Sequence, residues 1–126
     1  MPKGTFVTAI SCIDGRTVEP ETAWLKQFYK ATYIDLITEP GPEKKLTFGS
    51  KVILDEIKEK VSISVNAHKS HFIVVIGHYD CAGNPVSDIF RKKQLQEAAE
   101  VIRSWKLPVN EVKALYVNEN WKLEEV

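Results

Sequence analysis

His71-Phe72-Ile73-Val74-Val75-Ile76-Gly77-His78-Tyr79-Asp80-Cys81 is the stretch that decides the fold. From Phe72 to Ile76 it is continuously apolar and mostly β-branched, the pattern of a central parallel strand covered on both faces. It delivers Gly77 and His78, and a His-x-x-Cys spacing follows. Upstream, Thr5-Phe6-Val7-Thr8-Ala9-Ile10 reads as a strand leading into Ser11-Cys12-Ile13-Asp14-Gly15-Arg16. The chain has only 2 cysteines, and each follows a run that reads as a buried strand.

The remaining segments alternate. Thr17 to Pro20 turn the chain, with Pro20 suited to a first helical turn. Trp24, Leu25 and Phe28 predict a helix ending near Ala31. Thr32 to Ile37 reads as a second strand, and Pro40-Gly41-Pro42 breaks it into a polar loop. Ser50 to Asn66 carries the stripe Ile53, Leu54, Ile57, Val61 and Val65, which predicts a longer helix. Asn84-Pro85 reads as a helix cap and first-turn proline. The helix after it carries Ile89, Phe90, Leu95, Ala98, Ala99, Ile102 and Trp105. Val112 to Val117 reads as a fourth strand and Trp121 to Leu123 as a short edge strand. The Trp24/Phe28 and Phe90/Trp105 sets are expected in the core. Lys44-Lys45 and Arg91-Lys92-Lys93 are expected on solvated faces. Alternating strands and helices define an α/β class with a mostly parallel sheet.

The length of 126 residues fits one domain over 1–126. With 17 basic and 17 acidic residues, charge offers no attraction to nucleic acid or to an anionic membrane. No apolar run approaches the roughly 20 residues that span a bilayer. The first residues are too short and polar a stretch for a signal peptide, so cytoplasm is the expected compartment. A structural disulfide is then disfavoured, and metal binding or thiol chemistry is the better reading of the cysteines.

Ligands of open α/β sheets bind beyond the carboxyl ends of the strands, where Cys12 and His78 both fall. Two thiolates and an imidazole, with a fourth position open or filled by a carboxylate, form a zinc ligand set. Cys12, His78 and Cys81 are therefore the candidate ligands. The plainer alternative is two buried cysteines acting as small hydrophobes beside a histidine that caps a strand. Asp14 and Arg16 alternate with Cys12, and an extended backbone would point all three side chains the same way. Asp14 then either completes the zinc shell or is held by Arg16 in a bidentate pair, leaving that position to water. His68 and His71 flank the start of the central strand, at the far end from His78, and are not expected to be ligands. Asp80 receives no role.

Cys12-x-Asp14-x-Arg16 and His78-x-x-Cys81, at ends of successive strands, resemble the beta-class carbonic anhydrase family. The resemblance covers nearly the whole chain. It implies a three-layer fold with strand order 2-1-3-4 and a short antiparallel fifth strand. It implies zinc on Cys12, His78 and Cys81, and a family chemistry in which zinc-bound hydroxide attacks carbon dioxide to give bicarbonate. Asp14 and Arg16 would be the family's gate: paired they leave water on the metal, and unpaired Asp14 ligates zinc. A homodimer, or a higher homo-oligomer, is implied as well.

Departures fall outside the ligand set. With 11 residues before Cys12, the family's helical arm is not expected. Gly15 stands where serine is usual and Ala82 where glycine is usual. The segment Ile34 to Pro42 lacks the family's Arg-Asn-Ala-Gly motif. Those differences bear on the substrate pocket and dimer contacts. Three other functions share the residues: hydrolysis of carbonyl sulfide or carbon disulfide, a non-catalytic zinc-binding or assembly role, and a redox-sensing thiol pair.

Overall fold

The computed structural model describes residues 3–126. Five strands form one sheet in the order β2-β1-β3-β4-β5. They are β1 (Phe6–Ser11), β2 (Tyr33–Thr38), β3 (Phe72–His78), β4 (Glu111–Val117) and β5 (Leu123–Glu125). The first four are parallel, and β5 turns back antiparallel on β4. The order expected from the resemblance is the order found. The final strand lies two residues later than Trp121–Leu123, because Asn118 to Trp121 form the turn that reverses the chain.

Strand alternation builds two cores. Ile73 and Val75 face one side, with Ile10 and Ala114, against α2 (Pro42–Phe48), α3 (Lys51–Ala67) and α4 (Asp88–Ser104). Val74 and Ile76 face the other side, with Val7, Ala9 and Leu115, against Leu25 of α1 (Val18–Tyr29). The apolar run of β3 is thus covered on both faces. Ser50 caps α3 through the Ile53 N–H, and Ser87 caps α4 through the Phe90 N–H.

Several expectations are corrected. Pro40-Gly41-Pro42 does not open a loop alone. Gly41 takes a left-handed φ of 61°, and Pro42, at the first helical position, starts α2. Asn84-Pro85 does not cap α4. The Asn84 amide instead donates to Glu43 Oε2 at 2.8 Å and Gln94 Oε1 at 2.7 Å in the interior. Arg91 is buried, its guanidinium donating to the carbonyls of Asn84 and Val86 and to Asp88 Oδ1. Phe28 and Phe90 are exposed on outer helix faces; Phe28 stacks on Trp24 at 4.6 Å between ring centroids.

Order 2-1-3 puts the topological switch between β1 and β3, so the chain leaves their carboxyl ends in opposite directions. The crevice opened there receives Cys12 from β1 and His78 from β3.

Candidate metal centre

Cys12 directly follows β1, His78 is the last residue of β3, and Cys81 follows the tight turn at Tyr79-Asp80. Their ligand atoms all lie within 4.8 Å of one another, and all three residues are buried. The two sulfurs are 3.8 Å apart and both thiols are free. His78 Nδ1 meets the Tyr79 carbonyl at 2.6 Å, which fixes the tautomer with its hydrogen there. Nε2 then presents a lone pair, and it has no hydrogen-bond partner among the described residues although it is buried. A buried unpartnered acceptor beside two sulfurs is costly by itself and is satisfied by a cation.

The protonation of the sulfurs agrees. The neighbouring Cys81 thiol, against the cost of burial, favours the thiolate of Cys12 and lowers its pKa. His78 and the backbone N–H groups of Gly41 and Asp14 add to this. Cys81 is pushed up for the same reason, since it keeps the shared proton. Burial opposes the charged form of His78, but Cys12 and the Tyr79 carbonyl raise its pKa overall. Without a metal, Nε2 therefore tends to take a proton facing the thiolate, and a cation would stand in that proton's place. Concentrated negative charge facing an imidazole, with one proton between two sulfurs, suits a soft divalent ion that displaces the proton.

Two glycines bring the covering loops together. A Cβ on Gly83 would stand 2.7 Å from the Pro40 carbonyl carbon, and one on Gly41 would stand 2.9 Å from Gly83. Only bare backbones cross at this distance, and the Gly41 N–H bonds Cys12 from there.

The backbone after Cys12 does not stay extended. Asp14 caps a single 3₁₀ turn over Gly15–Thr17 and accepts from the Arg16 N–H at 3.0 Å. That turn swings Arg16 back onto its own cap. Arg16 Nε donates to Asp14 Oδ1 at 3.0 Å and Nη2 to Oδ2 at 2.6 Å, a fork on one carboxylate. Arg16 holds the Asp14 carboxyl down at about 2. The guanidinium is half exposed, so water screens the pair, and directed hydrogen bonds carry its specificity. Asp14 is outside the three-residue group, with Oδ2 3.8 Å from His78 Nε2. Of the sequence candidates, three converge, and the remaining two form a pair beside them. His68 lies apart, bonded to Asp35 at 2.6 Å.

Sequence reasoning missed three neighbours. Asp80 Oδ2 and its carbonyl both accept from Arg16, and the Arg16 guanidinium lies 4.9 Å over the Trp121 ring. Glu21 is fully buried and accepts from Ser11 Oγ at 2.7 Å, while its Oε1 has no partner among the described residues. The only sequence signal for Glu21 was its position one turn before Leu25, on the buried face of α1.

Burial pushes the Glu21 carboxyl from its ordinary 4.5 to about 7, against the bond from Ser11. The folded protein therefore binds more protons than the unfolded chain between those values, and stability falls as pH rises through that window. The expected loss is about 3 kcal/mol. Glu21→Gln should flatten that part of the profile and be the more stable protein above about pH 7. Denaturant unfolding of both proteins across pH checks this; parallel profiles would refute it.

A cleft of about 280 Å³, lined by Tyr79, Asp80, Cys81, Val86, Asp88 and Arg91, flanks the cluster. A larger cleft, about 540 Å³, opens at the amino ends of β3 and β4 and has no cysteine or histidine in its lining. Donor chemistry and burial, not cleft size, mark this cluster as the candidate metal centre.

The chain is a three-layer α/β fold with a Cys-His-Cys cluster at its switch point that could hold a metal ion. Residues 2–126 match the family described as "Putative carbonic anhydrase", and the chain belongs to that family. No curated protein sequence matches. Among solved structures, a carbonic anhydrase from Glaciozyma antarctica is similar at 15% identity and TM-score 0.63, covering 94% of this chain and 80% of that one. One of two tetrameric beta-carbonic anhydrases from Sordaria macrospora is similar at 11% identity and TM-score 0.63, covering 99% and 82%. The b-carbonic anhydrase CafA of Aspergillus fumigatus is similar at 13% identity and TM-score 0.52, covering 95% and 74%. At such identities the likeness is one of fold.

Proposed function

We propose that this protein binds one zinc ion through Cys12, His78 and Cys81 and catalyses the reversible hydration of carbon dioxide to bicarbonate. The observation that carries the reading is the unpartnered, buried Nε2 of His78 facing two sulfurs. Zinc held there supplies Lewis acidity that makes water a nucleophile near neutral pH.

The chain's residues do the rest. Arg16 fixes the Asp14 carboxylate beside His78. A carboxylate held near 2 accepts a hydrogen bond well but is a weak base, so Asp14 orients water more than it deprotonates it. Released from Arg16, Asp14 would be a carboxylate within reach of the three donors and would complete the ligand set. The Tyr79 carbonyl holds the His78 ring, and Gly41 and Gly83 close the crevice over the sulfurs. A reducing compartment such as the cytoplasm would keep both thiols free. Among the described residues no helix is long and apolar enough to cross a membrane.

Stopped-flow hydration with zinc-loaded and zinc-free protein tests the activity. Zinc-dependent turnover is expected. One zinc per chain without turnover would leave a non-catalytic zinc site.

We also expect a homodimer or higher homo-oligomer. β2 lies at the sheet edge with Tyr33 and Leu36 exposed, and an open edge favours pairing. The Sordaria macrospora enzymes are described as tetrameric. Sedimentation should show at least a dimer at roughly tens of micromolar. A stable monomer there would contradict this.

A further inference from the structure

Arg16 makes more contacts than a two-residue gate needs. Its Nε and Nη2 are committed to Asp14, yet Nη1 reaches Asp80 Oδ2 at 3.2 Å and Nη2 also reaches the Asp80 carbonyl at 3.1 Å. The face of the guanidinium lies against Trp121. We propose that Asp80 and Trp121 are positioning residues that clamp Arg16 against Asp14, and so set how often Asp14 is free to join the ligand set. The proposal rests on the zinc and gate reading above and extends it to residues outside the two metal motifs.

Both residues sit in tight turns with left-handed backbone. Asp80 adopts a left-handed φ of 59° and Trp121 one of 57°. Aspartate tolerates that region through local hydrogen bonding; a bulky tryptophan does not favour it. The Asp80 turn is tied to the end of β4 by the Tyr79 N–H donating to the Val117 carbonyl at 2.8 Å. The Trp121 turn is tied by its own N–H to the Asn118 carbonyl at 2.9 Å. Asn118 Oδ1 accepts from Asn120 and Lys122 in the same turn, and its amide holds Glu124. Two braced turns therefore converge on one guanidinium from sides that Asp14 does not occupy. An arginine gripped on three sides loses its alternative rotamers, and its pairing with Asp14 persists longer.

Asp80 is well exposed, so its ion pair is screened, and the stacked tryptophan contributes alongside it. Loss of either should shift the gate modestly, and loss of both more strongly.

The test uses cobalt(II)-loaded protein, whose visible spectrum reports coordination directly, with azide as the probe of an open position. Wild type, Asp80→Asn, Trp121→Leu, the double variant and Arg16→Ala are compared. Asparagine keeps the left-handed turn, so Asp80→Asn removes charge with little strain. The expected result is a spectrum moved part-way toward that of Arg16→Ala in each single variant. Azide dissociation constants should rise about three- to fivefold in each and about tenfold in the double variant. If Arg16→Ala differs from wild type while Asp80→Asn and Trp121→Leu do not, the clamp is refuted and the gate stands. If Arg16→Ala matches wild type, the gate itself fails and the clamp falls with it. Loss of cobalt from Asp80→Asn would also overturn the proposal, because Asp80 would then support the ligands themselves.

Discussion

Replacing Cys81 with serine is expected to strip the protein of its zinc. The hydroxyl of serine stays protonated where a thiol ionises, and it is a poor ligand for a borderline-soft ion. Cys81 is buried in the loop that follows β3, and the Arg16 fork keeps the Asp14 carboxylate from taking its place. Two donors, Cys12 and His78, would remain, and His78 Nε2 would again be buried without a partner. Elemental analysis should fall from about one zinc per chain to a small fraction of that. Thermal stability should fall too, because metal-binding free energy belongs to the folded state. Chelator should lower the melting temperature of wild type and leave Cys81→Ser nearly unmoved. Full zinc occupancy in the variant would show that Cys81 is not a ligand.

Arg16→Ala should separate the metal from the activity. Without the guanidinium fork, Asp14 loses the partner that draws its carboxylate away from the cluster. The nearest cation is then the zinc, and Asp14 should take the position that water needs. Hydration should fall below detection with zinc content unchanged, because the position that water needs is occupied. Asp14→Asn should act differently. It keeps the shape but has no charge to ligate zinc or to pair with Arg16, so some turnover should persist. Hydration rate and zinc content measured together on both variants distinguish these cases. Full activity with full zinc in Arg16→Ala would reduce Asp14–Arg16 to a structural pair.

Apolar pattern and strand-end position made most of this legible before the structure. The unbroken run from Phe72 to Ile76 announced a strand covered on both faces, and two cores do cover it. Cys12, His78 and Cys81 were legible because cysteines placed just after buried strands, beside polar residues, have few purely structural reasons to be there. Polar residues paired across long separations were not legible. Arg91 reads as one of three exposed cations, yet its partners are backbone carbonyls of the Asn84–Val86 loop and Asp88. Asn84 reads as a cap, yet its amide answers Glu43, 41 residues away. Such pairs leave no periodicity in the chain. The helix α2 has only 7 residues and follows a Pro-Gly-Pro signal for a loop, so local pattern could not compete with it. The extended reading of Cys12 to Arg16 failed because the Asp14 side chain bonds its own backbone two residues on, a local bond that favours a turn.

Zinc K-edge X-ray absorption of the loaded protein tests the central claim most directly. The account predicts two sulfur scatterers at about 2.3 Å and a histidine nitrogen at about 2.0–2.1 Å, with one further light donor. In Arg16→Ala the number of sulfurs should be unchanged. A shell without sulfur, or with one sulfur, would contradict the assignment of Cys12, His78 and Cys81 as the metal centre.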